Sequence, residues 1–341
     1  MSAPRATSST ERNIHLGVLG AALAVAAWVF AAQPRAGEPA THSIALSQAK
    51  DERSPLALIP PGSAFVLSLD VGALARAPLG AFIAERLGRS AGGSKLSQAC
   101  GFDPLARLDQ LAIAVPSANL GAQEHPEDFG IVANGRFTAE EITHCAKTVI
   151  SARKGEAIQT KLGNFDSVRD RKASGEIASK DGLLIVSGGS YFRELLDSAE
   201  GNAKAHEAKD ARHAELRRTL GPGPLVATWL LGEGWFERVA GDEANARLSP
   251  LSALETVSAR IEVGKTAQLL VLLECADSEG ASRISALLDE LRSALRTFPL
   301  DPTLVGVATR IAVNRSEARL KLTLELNQAE LSSVLDTLIG R

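Results

Sequence analysis

From Val257 to Val263 the chain alternates apolar and polar positions with a period of two. Val257, Ala259, Ile261 and Val263 are interleaved with Ser258, Arg260 and Glu262, and Gly264-Lys265 then turns the chain into Ala267, Leu269, Val271 and Leu273. Successive strand side chains point to opposite faces, so the pattern predicts a hairpin with one buried face. A further strand is predicted where Ala318, Leu320, Leu322, Leu324 and Leu326 alternate with Arg319, Lys321, Thr323 and Glu325. The period changes to that of an amphipathic helix at Ile284, Leu287, Leu288, Leu291 and Leu295, and again at Leu331, Val334, Leu335, Leu338 and Ile339. Thr138 with Glu141 and Asn327 with Glu330 have the three-residue spacing at which side chains satisfy orphan N–H groups of a helix start, and Gly340 is a stop signal.

These elements recur. Leu58-Ile59-Pro60-Pro61-Gly62-Ser63-Ala64-Phe65-Val66 is echoed by Thr219-Leu220-Gly221-Pro222-Gly223-Pro224-Leu225-Val226-Ala227 at an offset of 161, each run placing a Pro-Gly turn before an apolar strand. Pro104 to Leu111 matches Pro250 to Val257 at an offset of 146. Helix starts follow, Thr138 against Ser278 at 140 and Ser190 against Asn327 at 137, a shrinking offset that fits shorter loops in the second copy. The expected fold is α+β: two tandem repeats of a β-α-β-β-α-β-β-α unit, residues 55–200 and 219–341, with antiparallel sheets and helices packed on one face. The charged stretch 201–218 joins them and is read as a linker, either extended or helical.

Ahead of this body lies a different pattern. Ile14 to Ala32 carries no Asp, Glu, Lys or Arg, and as a helix it covers about 28 Å, close to a bilayer core. Arg5 and Arg12 precede it, so the positive-inside rule holds residues 1–13 in the cytoplasm and sends the rest across the membrane. Two readings stand: a retained inner-membrane anchor with a periplasmic body, or a secretory signal cleaved near Ala31 that releases the body. Residues 33–54, broken by Pro34, Gly37 and Pro39, read as a flexible tether.

A net charge of −3 offers no basic stripe for nucleic acid. Aromatic residues make up 4% of the chain, too few for stacking platforms. With PPGSAFVLSLDVGAL at 60–74 and CGFDPLARLDQLAIAV at 100–115 in view, the chain resembles the membrane-anchored envelope proteins common in myxobacteria. The resemblance covers most of residues 55–340 and implies an envelope location and an α+β duplication. It brings no activity that attaches to a residue.

The three cysteines are too few for a disulfide scaffold and too dispersed for a zinc knuckle. A bridge between Cys100, in a loop before a turn, and Cys145, on the apolar face of the helix after Thr138, is one reading, and two buried thiols are the other. Cys275 is expected as a buried inert thiol. Gly264-Lys265-Thr266 lacks the earlier glycine of a phosphate-binding loop and sits in a hairpin turn. His206 and His213, seven apart among Lys, Asp and Glu, are expected on a solvated charged helix, and Ser190 is expected as an N-cap. No cofactor or metal motif is read. The sequence therefore points to a non-enzymatic, membrane-anchored envelope protein with a binding or structural role, partnered by the membrane through residues 14–32 and by another envelope protein or lipid. One alternative is a carrier of lipid or another apolar ligand held between sheet and helices. The other is an extracytoplasmic hydrolase drawing on Asp70, Asp103, Asp109, His125 and His144.

Overall fold

The computed structural model describes residues 54–88, 91–116, 129–201, 211–240, 246–295 and 302–339. The apolar segment 14–32, the tether, His125 and His206 lie outside them. Among the described residues no helix is long and apolar enough to cross a membrane.

A 3-10 turn, Pro55–Leu58, leads into β1 (Ser63–Asp70) and the helices α1 (Val71–Arg76), α2 (Pro78–Gly88) and α3 (Ala91–Cys100). The 3-10 turn Leu105–Arg107 precedes β2 (Leu108–Pro116) and β3 (Gly130–Gly135), followed by α4 (Ala139–Ala152). Next come β4 (Ala157–Leu162), β5 (Phe165–Asp170), β6 (Gly175–Lys180), β7 (Leu183–Gly188), α5 (Tyr191–Glu200) and α6 (Ala211–Leu220). The remainder holds β8 (Leu225–Leu230), α7 (Trp235–Ala240), a 3-10 stretch at Ala246–Ala253, β9 (Leu254–Val263), β10 (Ala267–Cys275), α8 (Ser278–Leu295), α9 (Pro302–Thr309), β11 (Ala312–Ser316), β12 (Arg319–Leu326) and α10 (Gln328–Ile339).

The α+β class stands, and the expected hairpin is β9–β10, with Val263 opposite Ala267 across the Gly264-Lys265-Thr266 turn. The expectation of separate sheets is corrected. All strands among the described residues join one 12-stranded antiparallel sheet in the order β11-β12-β10-β9-β8-β1-β2-β3-β7-β6-β5-β4, and the seam is the ladder from Phe65↔Trp229 to Leu69↔Leu225. Each of these strands, left alone, would present a row of unpaired N–H and C=O groups, and pairing them satisfies both rows.

Helices on one face is also corrected, because they cover both. Leu67 and Leu69 pack with Val71 and Leu74 of α1 and Ile142 of α4. Val66, pointing the opposite way, packs with Leu58 and with Tyr191, Phe192 and Leu195 of α5. Leu220 of α6 joins that second face through Val226 and Leu272, while Ala281 and Ile284 of α8 lie on the first with Leu320. The physical reason is visible in Ala112, Ala114, Val132 and Ile185, which sit between apolar neighbours in their strands and are fully buried. A strand apolar at consecutive positions is buried twice. Finally, residues 55–200 hold seven strands, β1 to β7, not the five of the expected unit.

Capping follows the sequence in part. Thr138 and Glu141 form a reciprocal capping box, as do Asn327 and Glu330. Ser190 precedes α5 but makes no side-chain cap bond, since its backbone is already helical. Asp277, rather than Ser278, caps α8 by accepting from Gly280 N–H at 2.6 Å.

Candidate functional site

The turn Leu105–Arg107 separates two open clefts. The first, of about 430 Å³, is lined by Gly72 and Arg76 of α1, by Ala106 and Asp109, and by Arg136 just after β3. The second, of about 360 Å³, is lined by Cys100, Phe102, Arg107, Thr138, Glu141 and His144. Both are held by one junction, in which Arg136 N–H donates to the Arg107 carbonyl at 2.8 Å.

Beside the first cleft Asp70 is already employed: its Oδ1 accepts from Ala73 N–H at 2.6 Å and caps α1. Arg136 Nη2 donates to the Ala106 carbonyl at 2.9 Å, while its Nε stands 3.9 Å from Asp109 Oδ1. Both partners of that ion pair are more than half exposed, so it exchanges freely with water. Arg76 makes no ion pair among the described residues. The absence of a side chain at Gly72 makes room for it: a Cβ there would lie 3.2 Å from Arg76 Nη1 and 3.5 Å from Asp70 Oδ1.

The second cleft is more fully paired. Arg107 Nη1 donates to Glu141 Oε1 at 2.6 Å, and its guanidinium lies 4.4 Å from the Phe102 ring centroid. The Thr138 N–H and then Arg107 hold the Glu141 carboxyl below its usual range. Cys100 and Cys145 are disulfide-bonded beneath it, joining the end of α3 to α4. Cys275 is a buried free thiol at the end of β10, and burial pushes its pKa up.

Among the residues singled out from the sequence, Asp109 lines the first cleft, Asp70 stands behind it near Gly72, and His144 lines the second. Asp103 accepts from Ala106 N–H and shapes the turn between them. His213 is a correction. It is 6% exposed, with Nδ1 2.7 Å from Thr228 Oγ1 and Nε2 2.8 Å from the Ser63 carbonyl oxygen. The charged residues around it occupy the outer face of α6, while His213, Leu216, Arg217 and Leu220 face the sheet at helical spacing.

That buried polar chain was not legible beforehand. Ser63 Oγ is 2.7 Å from Tyr191 Oη, and burial pushes the Tyr191 pKa up to about 12. Arg217 reaches Ser68 Oγ at 2.7 Å, and burial lowers its pKa to about 10. The contacts join α5 and α6 to the two seam strands. Tyr191 and His213 are nearly inaccessible to solvent, so the chain reads as structure. Among the described residues no group of His, Cys, Asp and Glu could hold a metal ion.

No family model matches the chain, and no curated protein does. Among solved structures, that of crystal form I of TP0453 is similar at 11% identity and a TM-score of 0.43, covering 84% of this chain and 98% of that one. A likeness of that degree carries no functional argument.

Proposed function

We propose that the chain is a non-enzymatic, membrane-anchored protein of the cell envelope with a binding or structural role, its body outside the cytoplasm and joined by residues 33–54 to the apolar segment 14–32. The observation that carries this reading is the Cys100–Cys145 disulfide, a bond that persists in oxidising compartments and is rare in the cytosol. It agrees with Arg5 and Arg12 on the cytoplasmic side of the apolar segment.

The body is proposed as a tandem duplication. Outward from the seam, β1-β2-β3-β7-β6 on one side is mirrored by β8-β9-β10-β12-β11 on the other. The Arg136 N–H to Arg107 carbonyl bond has a counterpart in Ala276 N–H to Ala253 carbonyl, at the offsets of 140 and 146 read from the sequence. The hairpin β4–β5 is then an addition to the first copy, standing where the second has α9.

The test uses the full chain in its native membranes. Trapping thiols with an alkylating agent at the moment of lysis should leave Cys100 and Cys145 unlabelled until a reductant is added. Prompt labelling of both would remove the extracytoplasmic placement. Crosslinking in the same membranes should capture another envelope component, and turnover in a broad hydrolase screen would overturn the non-enzymatic assignment.

A further inference from the structure

We infer that the cleft between α1 and the β3–α4 junction binds a phosphate group, with Arg76 and Arg136 as its two cations; this rests on the reading of the chain as a binding protein. The two guanidinium groups come from different elements and line one space of about 430 Å³, within the range of small-ligand sites. Guanidinium donors match phosphate oxygens in a fork geometry, and two of them match a group carrying close to two negative charges.

The acids in and beside the cleft do not cancel this. Asp70 spends one oxygen on the Ala73 N–H, and Asp109 approaches Arg136 only at 3.9 Å in an exposed pair that an incoming anion can displace. Arg136 is anchored at the Ala106 carbonyl through Nη2, so its Nη1 group stays available beside the loosely paired Nε. Gly72 leaves the cleft floor open beneath Arg76. If the halves are copies, the counterpart of Arg136 is Ala276, which makes the same backbone hydrogen bond. The fold at this junction then has no need of an arginine.

Phosphate chemistry reaches a tethered envelope protein either as a free phosphorylated solute or as a lipid headgroup. The experiment titrates the full chain, in an uncharged detergent, with inorganic phosphate, glycerol phosphate and soluble dihexanoyl phosphatidic acid, with acetate beside them, by calorimetry. Binding of all three phosphates in the sub-millimolar to millimolar range assigns the free group. Binding of the short-chain lipid alone assigns the headgroup. Arg76→Ala and Arg136→Ala should each weaken binding about tenfold, and Gly72→Leu should block it without changing charge. Arg283→Ala, an exposed arginine of α8 that removes the same charge elsewhere, should leave it intact. No binding of any phosphate at 10 mM, equal binding of acetate, or equal losses from Arg283→Ala would each overturn the inference. Envelope capture that persists in Arg76→Ala and Arg136→Ala alongside such a failure would leave the broader function standing.

Discussion

His213→Ala is the sharpest perturbation of the seam. A carbonyl oxygen can only accept, so Nε2 carries the proton donated to Ser63, and in the neutral ring Nδ1 accepts from the Thr228 hydroxyl. Truncation leaves the buried Ser63 carbonyl without this donor, at about 1 to 3 kcal/mol. The void left by the ring adds about 1 to 2 kcal/mol. Thr228 retains an alternative acceptor, the Val66 carbonyl at 3.3 Å, so its hydroxyl adds little. The expected loss is therefore about 2 to 5 kcal/mol, measured as a urea midpoint by circular dichroism. With a slope of about 3 kcal/mol per molar for a chain of this size, the midpoint should fall by about 1 M with the slope unchanged. Thr228→Val deprives Nδ1 of its donor and should cost about 1 to 2 kcal/mol. Because both variants delete the same hydrogen bond, the double variant should lose about 1 kcal/mol less than the sum. A midpoint shift under about 0.3 M for His213→Ala, or strict additivity, would refute the reasoning that His213 closes the seam.

Reduction of Cys100–Cys145, or Cys145→Ser, should cost about 2 to 4 kcal/mol for a sequence separation of 45, read as a lower thermal midpoint with reductant that Cys275→Ser does not reproduce. Gly130→Ala would place a Cβ 2.6 Å from Leu195 and 2.7 Å from Tyr191, so it should lower stability by about 1 to 3 kcal/mol in the same urea assay. At Glu274, burial pushes the pKa up, but donors from Arg319 and Thr256 and the charge of Arg212 outweigh it and hold the carboxyl below its ordinary value. A depressed native pKa stabilises the fold above the unfolded value of about 4.3, and that contribution is lost as pH falls through the native value. Thermal midpoints followed downward from pH 6 should therefore drop less steeply in Glu274→Gln. That variant should itself cost only about 1 kcal/mol at neutral pH, because Arg212 and Arg319 are 41% and 49% exposed.

Local patterns carried the element types well. The β9–β10 hairpin, the capping boxes at Thr138 and Asn327 and the helices starting at Ala139 and Ser278 follow from period and spacing. The inward turn of His213 was hidden for a physical reason. Among so many charged residues, a helix face with one histidine and one arginine differs little from a solvated one until Ser63 and Thr228, 150 and 15 residues away in sequence, are brought against it. The arginine cleft was half legible: Asp109 was named among candidate carboxylates, but only folding sets Arg76 and Arg136 in one cleft with it.

The position of each strand in the sheet was also encoded, in a form that pairing rules alone do not read. β2, β3 and β7 are apolar at consecutive positions, and they lie near the centre with layers on both sides. β12 alternates, and its Lys321 and Glu325 reach water. β4 and β11, the two edges, carry exposed polar residues, including Lys161 and Arg315, which discourage further strands from adding there. Charge thus marks both edges of the sheet, while long consecutive apolar runs, in β10 as in β2, β3 and β7, lie inside it. Two independent sheets would each have needed their own charged edge beside β1 and beside β8. Phe65, Leu67 and Leu69 facing Trp229, Ala227 and Leu225 make a hydrophobic junction instead, the composition expected of strands that are buried against each other.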